Sequence, residues 1–265
     1  MAILVYLSAG RPEDDSTTSG GAIDTDVRLM DYTIYDSIAG GSGDKIDLVS
    51  SSASDTQVFA LAGYGTDGSW LTENVSCTGT THVQSTNTYL HLRKIVAASA
   101  AVGTITVARY NLGSPVTLGT IIAGEKGYST LFLNAQANAS DGAAKALYEK
   151  IFVYSTADTH TLVKFFNNID EDSELTWAGE EDSGGDLVTN GTESTANRVT
   201  APTTGSPTFA DHINLANALT LGDAGDGNLG ATEAQGVWCK LSLAAGRATE
   251  QQIACQITVN SSEPV

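Results

Sequence analysis

The feature that most constrains this chain is a two-residue alternation of apolar and polar side chains, broken at short intervals by Gly, Asp, Asn and Ser. A strand turns successive side chains to opposite faces, so such runs describe strands with one buried and one wet face. Between Gly63 and Ala108, short runs rich in Val, Thr, Ile, Leu and aromatics alternate with turn residues, which predicts a β-meander. Its closing run, Gly103-Thr104-Ile105-Thr106-Val107-Ala108, sends Ile105 and Val107 one way and Thr104 and Thr106 the other. Thr66-Asp67-Gly68-Ser69 carries the Asp-Gly signal of a tight hairpin, because Gly supplies the positive φ of a primed turn. Nothing in this stretch positions a catalytic group.

The same alternation recurs near the C-terminus. Val237, Cys239, Leu241 and Leu243 alternate with Trp238, Lys240 and Ser242, and Ile253, Cys255, Ile257 and Val259 with Ala254, Gln256 and Thr258. A hairpin centred on Arg247 would set Cys239 opposite Cys255, Leu241 opposite Ile253 and Val237 opposite Ile257, all on the core face. A disulfide between the two cysteines is the lesser expectation for a chain made in a reducing cytoplasm.

The fold class expected is all-β: an extended N-terminal arm (residues 1–43) and two β-modules (44–112 and 113–265), the larger a jelly-roll-like sandwich. The arm has one strand-like run, Ile3 to Leu7, a polar stretch from Arg11 to Gly21, and a flexible Gly40-Gly41-Ser42-Gly43 linker. It packs either on its own domain or on a neighbouring subunit. Further strands are expected at Gln57–Leu61, Val116–Ile122, Ser129–Asn134, Leu147–Tyr154 and Thr161–Phe166. The segment from Asn167 to Asp211 reads as a long acidic loop.

Acidic residues outnumber basic ones 31 to 13, a net charge of −18 that repels phosphate backbones, so no nucleic acid is expected as a partner. No run approaches the roughly 20 apolar residues of a membrane span, and Met1 to Leu7 lacks the basic region of a secretory signal. The three cysteines form no CxxC pair. His82, His91, His160 and His212 are scattered, without a metal-ligand spacing. Gly119 to Lys126 approaches a phosphate loop, but Glu125 stands where that loop needs lysine, so a strand followed by a turn is expected. The acids at 170–174, at Glu180-Glu181-Asp182 and at Asp223, Asp226 and Asn228 are expected as solvated loop residues, with calcium binding the alternative. Of Trp70, Trp177 and Trp238, Trp177 is the best candidate for an exposed ring that stacks on sugar. The expectation is therefore no enzyme, no cofactor and no metal.

Several stretches resemble β-rich virion proteins of tailed bacteriophages. They are Gly65-Thr66-Asp67-Gly68, the run ending Thr72-Glu73-Asn74-Val75, the run from Gly79 to Thr86, and Val102-Gly103-Thr104-Ile105-Thr106-Val107. Tyr6-Leu7-Ser8, Ser19-Gly20-Gly21 and Tyr148 to Val153 are similar to the same group. The resemblance implies a particle component, a capsid cement or decoration protein. Its partners would be the major capsid protein and itself, as a homotrimer on a three-fold site of the outer capsid surface. The arm residues Val5, Tyr6, Leu7, Arg11, Arg28, Leu29, Tyr32 and Tyr35 are the expected contacts to the shell or a neighbouring subunit. The alternative is a head-fibre or tail-associated adhesin that grips host glycans.

Overall fold

A computed structural model describes residues 3–12, 14–30, 34, 43–111, 114–133, 143–170, 174–245 and 255–262. The fold is all-β, with several antiparallel sheets. In chain order the strands are β1 (Ile3–Gly10), β2 (Ser19–Leu29), β3 (Lys45–Ser50), β4 (Val58–Tyr64), β5 (Trp70–Ser76) and β6 (Val83–Gln84). Next come β7 (His91–Ala97), β8 (Ile105–Asn111), β9 (Ser114–Ile121), β10 (Gly127–Ser129), β11 (Lys145–Ser155) and β12 (Lys164–Asp170). The last are β13 (Leu175–Gly179), β14 (Ser194–Thr195), β15 (Leu219–Thr220), β16 (Ala234–Leu243) and β17 (Cys255–Asn260).

The chain forms two compact units, one of Met1–Asp24 with Leu131–Val265, the other of Thr25–Thr130. These boundaries differ from the expected 43/44 and 112/113. The N-terminal segment is not a separate arm: β1 pairs antiparallel with β11, Val5 opposite Val153 and Leu7 opposite Ile151. Ile151, Phe152 and Val153 are fully buried, so β11 is covered on both faces and its edge groups need strand partners.

In the first unit the strand order is β13-β16-β11-β1-β2, with β14 on the N-terminal half of β2, and a second sheet runs β15-β12-β17. Phe165 of β12 meets Trp177 of β13 edge-on at 5.1 Å, which joins the two sheets through a sealed aromatic contact. The expected hairpin between the last two long strands does not form. β16 lies between β11 and β13, with Cys239 opposite Glu149 and Trp177. β17 pairs with β12, Val259 opposite Phe165 and Cys255 opposite Asp170. Cys239 is buried and in no disulfide. Alternation dictates which face of a strand is buried, but it is equally satisfied by any partner offering an apolar face.

In the second unit, β10-β7-β4-β5 with the end of β2 makes one sheet and β6-β3-β8-β9 the other. Ile46, Leu48, Ile105, Val107 and Ile121 from one sheet pack with Phe59, Leu61, Leu92 and Ile95 from the other, a sandwich-like core. Ile105 and Val107 are both fully buried, as their alternation requires. The β4–β5 hairpin forms at the Asp-Gly turn, with Tyr64 opposite Trp70 and Gly68 at φ 76°. The stretch is not one meander, however, because β6 and β8 belong to the opposite sheet from β4, β5 and β7. Gly119 lies in β9, followed by a turn, and the strand expected to begin at Ser129 instead ends there.

Phe165→Ala is expected to lower the unfolding free energy by about 3–5 kcal/mol, because it empties the contact between the first unit's two sheets. Urea unfolding of the two proteins side by side measures this.

Candidate functional site

Two clusters of buried charge organise the first unit. β11 runs Tyr148-Glu149-Lys150-Ile151, and adjacent residues of a strand point to opposite faces. Lys150 Nζ lies 3.0 Å from Glu180 Oε2, with side-chain exposures of 0% and 1%. The ammonium also donates to the Glu193 carbonyl at 2.8 Å and sits 4.9 Å over the Phe152 ring and 5.2 Å over Trp238. Glu180 Oε1 accepts from the Glu193 N–H at 2.6 Å. Burial lowers the Lys150 pKa and raises that of Glu180, while their mutual attraction opposes both shifts.

The second cluster is centred on Arg198, fully buried. Its Nε donates to Asp15 at 3.0 Å and its Nη1 to the Leu133 carbonyl at 2.9 Å, with Glu149 at 3.7 Å. Glu149 accepts the Phe132 N–H at 2.8 Å. The long connection between β13 and β16 is thus fastened to the sheet at Glu180, Glu193 and Arg198 by charge-assisted hydrogen bonds.

In the second unit the corresponding role falls to Asp55, fully buried in a turn. Its carboxylate accepts the Val102 N–H at 2.7 Å, the Gly103 N–H at 2.9 Å and the Ser50 hydroxyl, and its carbonyl accepts the Gly79 N–H. Burial alone would raise the Asp55 pKa, but the hydrogen bonds from Ser50, Val102, Gly103 and Gln57 outweigh it and hold the carboxyl below its ordinary 3.8. Three loops meet there. Their neighbour, the turn after β9, is joined by the Gly124 N–H to the Ala101 carbonyl and the Ala101 N–H to the Glu125 carbonyl, both 2.8 Å. These fastened loops expose two aliphatics, Val102 at 63% and Ile122 at 42%.

The expected contact residues are largely engaged within their own units. Tyr6 and Leu7 are buried, and Tyr6 meets Tyr154 edge-on at 5.8 Å. Val5 and Leu29 are half-buried in paired strands. Arg11 bridges Asp24 at 2.6 Å. Arg28 bridges Glu125 at 2.7 Å, donates to the Thr120 carbonyl and stacks 4.7 Å over Tyr128. Tyr32 and Tyr35 lie outside the described residues. Trp177 is fully buried rather than exposed, because β13 inserts it between the sheets. Among the acids expected to be solvated, Glu180 is buried and paired. Asp182 accepts from the Gly184 and Asp186 N–H groups, and Asp226 from Asn228. Among the described residues no group of three or more His, Cys, Asp or Glu could hold a metal ion, and no helix is long and apolar enough to cross a membrane. Cys77 is buried, and burial pushes its thiol pKa up, away from a reactive thiolate.

Comparison with known proteins gives no match: no family model, no curated protein and no solved structure matches the chain. The architecture defines the class by itself, an all-β protein with a sandwich-like arrangement of antiparallel sheets. Sequence reasoning missed Lys150, Glu180, Arg198 and Asp55 as organising residues. One signal was present: Glu149-Lys150 interrupts a run that is otherwise apolar on both faces, and charge in such a strand requires a buried partner.

Arg198→Leu leaves Asp15 and Glu149 without their shared cation, and is expected to cost about 3–5 kcal/mol and to speed proteolytic cleavage near residues 193–205. Asp55→Asn is expected to lose at least about 1.5 kcal/mol at neutral pH. Because the native pKa of Asp55 is depressed, its contribution is complete above the unfolded-state value and disappears as pH falls through the native one. The gap in melting temperature between wild type and Asp55→Asn should therefore begin to narrow near the unfolded-state value of about pH 4 and close as pH falls through the lower native value, which a series of thermal melts measures.

Proposed function

We propose that this protein is a structural component of a tailed-phage virion, a cement or decoration protein that binds the outer capsid surface and bridges capsid subunits. The observation that carries the reading is how the buried charges are used. Lys150, Glu180, Arg198 and Asp55 each bond to backbone groups of the protein's own loops. Charge spent in this way stiffens a surface. The stretches that resemble phage virion proteins supply the particle context, and the acidic balance favours a place outside the shell, away from packaged DNA. The partners on this reading are the major capsid protein and further copies of this chain, as a homotrimer. The exposed Val102 and Ile122, on loops fastened from behind, are suited to contact because little ordering entropy is lost when they dock.

A bound cement protein stabilises the assembled shell by mass action over the dissociated one. Particles stripped of the protein should release their genome at a lower temperature than complete particles, and re-addition should restore the difference. Equal heat stability with and without the protein would rule the reading out.

Trp70 and Tyr64 favour a second reading, the glycan-binding adhesin. They are half-buried, 5.0 Å apart and edge-on, on the hairpin of an edge strand. On that reading the stripped particles stay intact when heated but adsorb poorly to cells.

A further inference from the structure

We propose that Lys150 and Glu180 are joined by an intramolecular isopeptide bond, formed spontaneously once the first unit has folded. Three features of the site are reagents for that step. The nucleophile is Lys150 Nζ, 3.0 Å from Glu180 Oε2, and its hydrogen bond to the Glu193 carbonyl at 2.8 Å fixes its orientation. The electrophile is Glu180 Cδ, whose other oxygen, Oε1, already accepts the Glu193 N–H at 2.6 Å, as an oxyanion would. The surroundings exclude water. Phe152 and Trp238 cover the amine, and the backbone abuts the carboxylate so closely that a Cβ on Gly236 would lie 2.2 Å from Oε2 and one on Gly191 2.4 Å from Cδ.

The step balances without any co-reactant. The ammonium first passes a proton to Oε2, which gives a neutral amine beside a neutral acid. Burial favours that form, since it lowers the Lys150 pKa and raises that of Glu180. The nitrogen lone pair then attacks Cδ, and charge gathers on Oε1 under the Glu193 N–H. A second proton moves from nitrogen to Oε2, the Cδ–Oε2 bond breaks, and one water leaves. Ammonium plus carboxylate thus become amide plus water, with no change of oxidation state. In bulk water such a condensation is slow and poorly driven. Holding the partners in contact is equivalent to effective concentrations of about 10⁵–10⁸ M, and the dry pocket removes the water that would reverse it. The product would tie β11 covalently to the end of β13, across the intervening β16.

Mass spectrometry of the purified, fully denatured full-length protein tests this. The wild type is expected to be lighter than its sequence by one water, and its digest to contain a branched peptide joining Lys150 to Glu180. Glu180→Gln should be lighter by one ammonia instead, and Lys150→Arg should have its full sequence mass. The wild-type measurement decides even if a variant misfolds. A wild type of full sequence mass would mean that the pair is only ionic and would overturn the proposal. So would a water loss that maps to cyclised Asp67-Gly68 or Asp226-Gly227.

Discussion

The first unit depends on one constraint: two oppositely charged residues sit side by side in a strand that is buried on both faces. Glu149 and Lys150 point to opposite sides of β11 because alternation leaves them no other choice. Neither can be left alone there, since an isolated charge in a dry interior costs far more than a strand pairing returns. Each face must therefore bring up a counter-charge. Glu149 is met by Arg198 and the Phe132 N–H, Lys150 by Glu180 and the Glu193 carbonyl. Three of these groups lie between the end of β13 and Arg198, a connection with little regular structure. The strand thereby helps determine the course of a loop whose ladder pairing is limited to the short β14 against β2 and isolated bridges such as Glu181 with Leu187.

The second unit solves the same problem from the loop side. Asp55 sits in a turn rather than a strand, and Glu73 on β5 accepts the Thr86 and Asn87 N–H groups and the Tyr89 hydroxyl. The Tyr89 phenol is pushed up by its own burial and by the nearby Glu73. Backbone N–H groups that no strand pairs must find acceptors or water, and a carboxylate satisfies several at once. Both units thus use ionised side chains where backbone pairing runs out.

Local features were legible in the sequence and long-range choices were not. Alternation located the cores of β8, β16 and β17, runs rich in strand-forming residues located those of β1, β4, β9 and β11, and the Asp-Gly turn placed the β4–β5 hairpin, because these depend on neighbours within a few residues. The pairing of β16 was misjudged because its apolar stripe fits β11 and β13 as well as it would fit β17. β2 and β13 were missed for a related reason. Ser19-Gly20-Gly21 and Leu175-Thr176-Trp177 look like loop and acidic flank, and their strand character comes from the partner edge. Gly20 illustrates this: at φ 86°, a Cβ there would strike the Trp238 ring at 2.4 Å, so only glycine passes under that ring. The ionic clusters were hidden because acids far apart in sequence look alike until the fold buries some of them.

That last point changes how the acidity of the chain is understood. Asp44, Asp47, Asp55, Glu125, Glu149 and Glu180 are all buried. Others at the surface, Asp14, Asp67, Asp182 and Asp226, accept N–H groups from their own turns. A β-protein with long loops needs many such acceptors, and short carboxylates supply them. Lysine and arginine offer the backbone only donors, which unpaired N–H groups cannot use. An excess of acids therefore follows from how the loops are held before any partner is considered. The charge still has a consequence outside the molecule, because carboxylates that cap turns remain charged at the surface. Like charges on such a surface repel one another and any anionic neighbour, over a range that salt screens to about 8–10 Å.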